Sequence, residues 1–169
     1  MSGNAAEALA LAQNGDLEKA EAIYREVITQ AEECDYYQLS DFYHQLASVL
    51  ARTSQMKEAL YYHEQALSTS LRQNNNDNES SSVGISRYFL GEHLLKMNQY
   101  QKALSVVEPS IGKSNIGNWL LRVIEASALW RLNRKDDARS SAKLAIESTP
   151  NEDRKKVLKH RFQEDIWRE

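Results

Sequence analysis

Four histidines, one cysteine and a serine tract are the side chains in this sequence whose types could do chemistry. Histidine can move protons or ligate metals near neutral pH, so spacing decides what a set of histidines can do. His44, His63, His93 and His160 show no HxxxH or HExxH spacing, which would stack two imidazoles on one helical face as a zinc pair. His93 directly follows Glu92, but adjacent helical residues point in different directions and form no acid–base dyad. Cys34 sits among Glu32, Glu33 and Asp35, the wrong surroundings for a thiolate nucleophile. Ser80-Ser81-Ser82 is a polar tract without a GxSxG elbow, and no Gly-rich phosphate loop occurs. A single cysteine excludes an internal disulfide framework and a cysteine-rich zinc site, and points to a reducing, cytoplasmic setting. No metal or cofactor is expected, and the chain does not read as an enzyme.

With no constellation to position, the question passes to the elements themselves. The chain has 169 residues, 41% hydrophobic and 27% charged, which suits a folded globular chain. Only 2 prolines and 6 glycines are present, too few breakers for an all-β sandwich with a turn every 8–12 residues. No apolar run approaches the roughly 18–20 residues of a membrane span. The opening MSGNAAEALALAQNGD lacks the basic region of a secretory signal. Net charge is −3 but unevenly placed: residues 1–67 hold 11 acids and 4 bases, residues 119–163 hold 6 acids and 11 bases. Such polarity steers partners or favours weak head-to-tail self-contact, or it is uneven solvated surface. Because basic residues alternate with acids in an acidic chain, nucleic acid is not an expected partner.

Internal repetition organises the sequence. A small residue recurs at Ala8, Ala47, Gly91 and Ala126, a leucine three residues on at Leu11, Leu50, Leu94 and Leu129, and an alanine nine after that at Ala20, Ala59, Ala103 and Ala138. Between leucine and alanine lie polar turns: Asn14-Gly15-Asp16, Thr53-Ser54-Gln55, Met97-Asn98-Gln99 and Asn133-Arg134-Lys135. Each unit therefore predicts two helices joined by a tight turn, with small side chains where the pair crosses closely. Gly and Asn in the turns suit the left-handed conformation of a helix end. One helix pair cannot bury its apolar faces, but a stack can.

This pattern resembles the tetratricopeptide repeat over residues 1–152. The resemblance implies an all-α chain, a right-handed α-solenoid of four units at about 1–39, 40–83, 84–118 and 119–152, with residues 153–169 as a C-terminal capping helix. In that last segment Val157, Leu158, Phe162, Ile166 and Trp167 recur at helical spacing. Trp167 reads as a packing anchor. The family's step is shorter than two of the steps here. Residues 35–39 are expected as added helix and residues 74–83, NNNDNESSSV, as an exposed loop. Pro109 should end or kink the second helix of unit three, leaving Ser110–Gly117 as a loop, either a tolerated break or a movable segment beside the groove.

The resemblance also implies a concave surface lined by the first helix of each unit. The lining positions fall on His44, Ser48 and Ala51 in unit two, on Tyr88, Glu92 and Leu95 in unit three, and on Leu120, Val123, Ser127 and Trp130 in unit four. Tyr88 and Trp130 bracket a largely apolar strip, which is either a docking face or is buried within the stack. Arg52, Lys96 and Arg131 recur near the ends of these helices, either as cations suited to a helix C-terminus or as a basic ladder for an acidic partner. His63 falls where the family packs a large side chain. The clamp with which some family members hold chaperone carboxylates would fall on Ala5, Leu9, Gln45, Ile85 and Phe89, or on His44, Ser48, Phe89, Leu120 and Ile124; neither set can pair a carboxylate. The implied function is a non-catalytic protein- or peptide-binding module, a small bacterial adaptor, chaperone or toxin-neutralising partner, acting as monomer or weak homodimer. The alternative is a regulatory or sensor domain of a longer protein that responds to a peptide or small ligand.

Overall fold

The repeated turn is what sets the architecture. The computed structural model describes residues 2–113 and 117–167. Among them are nine α-helices and no strand: α1 Ser2–Asn14, α2 Leu17–Glu33, α3 Leu39–Arg52, α4 Met56–Gln73, α5 Ser81–Lys96, α6 Tyr100–Val107, α7 Asn118–Arg131, α8 Lys135–Glu147 and α9 Glu152–Asp165. The fold class is thus all-α, built of tetratricopeptide-like helix pairs, and the chain divides into two compact units, 1–76 and 77–169.

In each of the four pairs the same backbone device turns the chain. Gly15, Ser54, Asn98 and Asn133 take φ of +93°, +64°, +59° and +62°. The next residue donates its N–H back across the helix end: Asp16 to Leu11, Gln55 to Leu50, Gln99 to Leu94 and Arg134 to Leu129, all at 2.8–2.9 Å. Those bonds satisfy carbonyls that a helix end would otherwise leave open. The alanine five residues after each left-handed residue is fully buried at the start of the second helix.

In the first unit α3 packs against both α2 and α4. Tyr24, Val27 and Ile28 of α2 meet Leu46 and Leu50 of α3 in one core. Arg25 joins α2 to α4, donating to Glu21 and Glu58 at 2.8 Å and to the Tyr62 hydroxyl at 3.1 Å. Of residues 35–39, expected as added helix, only Leu39 is helical, as the first residue of α3. Asp35 at φ +46° ends α2, its carboxylate takes a two-pronged Arg72 contact at 2.7 Å, and a turn runs to Leu39.

In the second unit α5 packs on α6 and α7, and α7 on α8. The loop expected over 74–83 is cut short: Ser81–Val83 already belong to α5, and Val83 is fully buried, so the apolar residue draws the helix start back. Pro109 does end α6, at Val107, and the chain passes into a 3₁₀ turn Glu108–Ser110. Ser110 is buried within that turn, while Ser114–Ile116 of the expected loop lie outside the described residues. After Pro150, the Asn151 side chain caps α9 by accepting from the backbone N–H groups of Asp153 and Arg154. Leu158, Phe162 and Ile166 are buried and Trp167 stands edge-on to Phe162 at 5.9 Å. Val157, expected in that stripe, is 67% exposed, one position off the buried face.

Candidate functional site in the second unit

α5, α7 and α9 each turn one partly polar face toward a cleft of about 430 Å³ within the second unit. From α5 come Glu92, Leu95 and Lys96, from α7 Ser127, Trp130 and Arg131, and Tyr100 opens α6 at the rim. Five residues expected on the binding face therefore meet in one place: Glu92, Leu95, Ser127, Trp130 and Arg131. Helical spacing explains the grouping, because Leu95 lies three residues after Glu92, and Trp130 and Arg131 lie three and four after Ser127.

The remaining expected residues lie elsewhere. Tyr88 and Leu120 are half-buried and Ser48 is exposed. His44 and Val123 are corrections, because neither can line a binding face. Val123 falls on the inward face of α7 with Ile124 and Ala126. His44 is 7% exposed, and its Nδ1 lies 3.2 Å from Nδ1 of His63, itself 6% exposed. One ring must donate and the other accept, so the pair cannot carry a proton on both facing nitrogens. Burial holds the His44 imidazole down at about 4, so it is neutral at physiological pH. Arg52 donates to the Ala12 carbonyl at 2.7 Å, closing the end of α1, and so is a structural cation rather than a rung of a ladder.

The cleft carries mixed charge around its apolar centre. Lys96 lies 3.8 Å from Glu92, Arg161 lies 3.8 Å from Asp165, and the Lys135 ammonium stands 5.2 Å from the Trp130 ring centre. Burial, with help from Glu92, raises the Tyr88 phenol above its ordinary value, and Arg161 opposes that shift. The sequence did not reveal the contribution of α9. Arg161, Glu164 and Asp165 line the cleft, although their spacing marks only the exposed side of an end helix. Among the described residues no group of three or more His, Cys, Asp or Glu side chains could hold a metal, and no helix is long and apolar enough to cross a membrane.

The fold these features define is one of tetratricopeptide-like helix pairs. Residues 4–34, which span α1 and α2, match the tetratricopeptide repeat family model. Solved structures agree over nearly the whole chain. BtubC (BKLC) from P. vanneervenii superposes with a TM-score of 0.72 at 14% identity, covering 95% of this chain and 63% of that one. This chain thus spans less than two thirds of that protein's length. The nearly identical TPR-like repeats of a putative kinesin light chain from Podosopora anserina give 0.72 at 15% identity, covering 97% of this chain and 89% of that one. A variant of the same repeats gives 0.74 at 15% identity over 97% and 88%. No curated protein sequence matches the chain. At these identities the similarity shows the fold. Repeats of this class generally mediate protein–protein interactions and are typically non-catalytic scaffolds.

Proposed function

We propose that this chain is a non-catalytic protein-binding module of four repeats and a capping helix, and that it docks a partner segment in the cleft of the second unit. The observation that carries the reading is the half-buried Trp130, which lines one cleft with Leu95 and with residues of both charges. A large aromatic at the centre of a pocket with a polar rim is the usual anatomy of an interface hot spot. The partner is read as a protein segment that places an apolar side chain on Trp130 and pairs its flanking charges with Glu92, Arg131 and Arg161. An adaptor or neutralising partner working in the cytoplasm fits this mode, because it needs capture without chemistry.

The test begins with a partner recovered by co-purification and identified by mass spectrometry. Calorimetry then compares wild type with Trp130→Ala and with Trp130→Ala/Leu95→Ala. The expected loss for Trp130→Ala is about 2 kcal/mol, a hot-spot value that weakens binding more than tenfold. Variants that keep wild-type helicity and wild-type affinity would show that the cleft is not the docking site.

A further inference from the structure

A second pocket, wholly within the first unit and independent of the cleft, carries a single charge, and that charge is negative. It measures about 240 Å³ and lies between α1 and α3, with Tyr24 of α2 also lining it. Ala5 and Leu9 of α1 and Phe42 of α3 give it apolar walls, and Asp41 and Gln45 of α3 give it polar ones. These include Ala5, Leu9 and Gln45, positions of a carboxylate clamp that here hold no cation. In place of a cation the pocket holds a carboxylate.

Three observations point to what it takes. First, Asp41 makes no ion pair among the described residues, whereas Glu21 and Glu58 share Arg25 and Asp35 holds Arg72. Asp41 is solvent-exposed at the mouth of the pocket, and the packing on its inner side raises its carboxyl above the ordinary value by partial desolvation. Second, Tyr24 is 1% exposed and its hydroxyl has no hydrogen-bond partner among the described residues, an oxygen left without a donor in a residue that lines the pocket. Third, residues 1–76 carry eleven acids against five bases, so the whole unit attracts positive charge.

We propose that this pocket binds a lysine or arginine side chain from a basic segment of a partner protein. The aliphatic stem lies along Ala5, Leu9 and Phe42 while the charged head pairs with Asp41. The volume suits one side chain, being smaller than the roughly 300–1,000 Å³ of small-molecule sites. The flanking basic residues of the segment meet the negative field of the unit, which sets the approach.

The experiment uses the full chain and a fluorescent octalysine peptide, read by anisotropy at low salt. Asp41→Asn should weaken binding about tenfold, as loss of a charge-assisted hydrogen bond does. Ala5→Phe, which fills the pocket from the half-buried face of α1, should weaken it comparably. Glu64→Gln removes the same charge from an exposed site on the same unit, and should change binding less than about twofold. Octalysine with acetylated side chains should not bind. Circular dichroism confirms that each variant is folded. The proposal is overturned if Glu64→Gln weakens binding as much as Asp41→Asn, if folded Ala5→Phe binds like wild type, or if the acetylated peptide binds as tightly as the charged one.

Discussion

Four residues in left-handed conformation do the same work in this chain, yet they are not the same residue. Gly15 adopts φ +93° without steric penalty, and asparagine tolerates the conformation at positions 98 and 133. Ser54 stands at φ +64° with neither advantage. A side chain there costs about 1–2 kcal/mol, while a glycine adds about 0.5–1 kcal/mol of chain entropy to lose on folding. Ser54→Gly should therefore stabilise the first unit by about 0.5–1 kcal/mol, read as a higher urea midpoint at unchanged slope. Asn98→Ala should move the second unit the other way by about 1 kcal/mol. An unchanged midpoint in Ser54→Gly would mean that the turn is held by its hydrogen bonds with no strain to release.

The helix crossings follow from side-chain size. Gly91 of α5 is where this is tightest: a Cβ there would stand 2.9 Å from Cγ2 of Ile124 on α7 and 3.1 Å from Cγ1 of Val107 on α6. Both neighbours are β-branched and stiff at χ1, so they cannot swing aside cheaply. Gly91→Ala gains about 1 kcal/mol of helix propensity and loses about 1–3 kcal/mol to overpacking. The expected outcome is net destabilisation of about 1 kcal/mol by urea unfolding, which Gly91→Ala with Ile124→Val should partly recover. The spacing of Ala47, Gly91 and Ala126 made these crossings legible in the sequence, because a steric requirement at a crossing leaves few residue types allowed. Helix faces were less legible. His44 and Val123 sit at the edge of the expected strip, where a modest roll of the helix decides between solvent and core. The share of α9 in the cleft was not legible at all, because it depends on where an end helix lands rather than on its own pattern. The pocket at Asp41 was half legible: its cation-free positions were visible, but a Tyr24 hydroxyl without a hydrogen bond and an Asp41 carboxylate without an ion pair among the described residues emerge only from packing.

The two units differ in what acid should do to them, and the aromatic residues report on them separately. Trp119, Trp130 and Trp167 all lie in the second unit, while six of the eight tyrosines, from Tyr24 to Tyr62, lie in the first. The first unit also holds the buried His44–His63 contact. Burial lowers the His44 imidazole from an ordinary 6.5 to about 4 in the folded chain. Below pH 6.5 the unfolded chain binds a proton that the folded one refuses, so this contribution is complete above that pH and drains away as pH falls toward 4. The full effect is about 3 kcal/mol, a large part of the stability of a unit this size. Asp35, whose carboxyl Arg72 holds below its ordinary value, adds loss in the same direction only at still lower pH. Near-UV dichroism of the tyrosines should therefore fall between pH 6.5 and 4 while tryptophan emission holds. His44→Gln, which cannot take up that proton, should shift the tyrosine transition to lower pH. Coincident curves in wild type would mean that the whole molecule unfolds as one cooperative body in acid. Separated curves with no response to His44→Gln would assign the acid sensitivity of the first unit to groups other than this histidine.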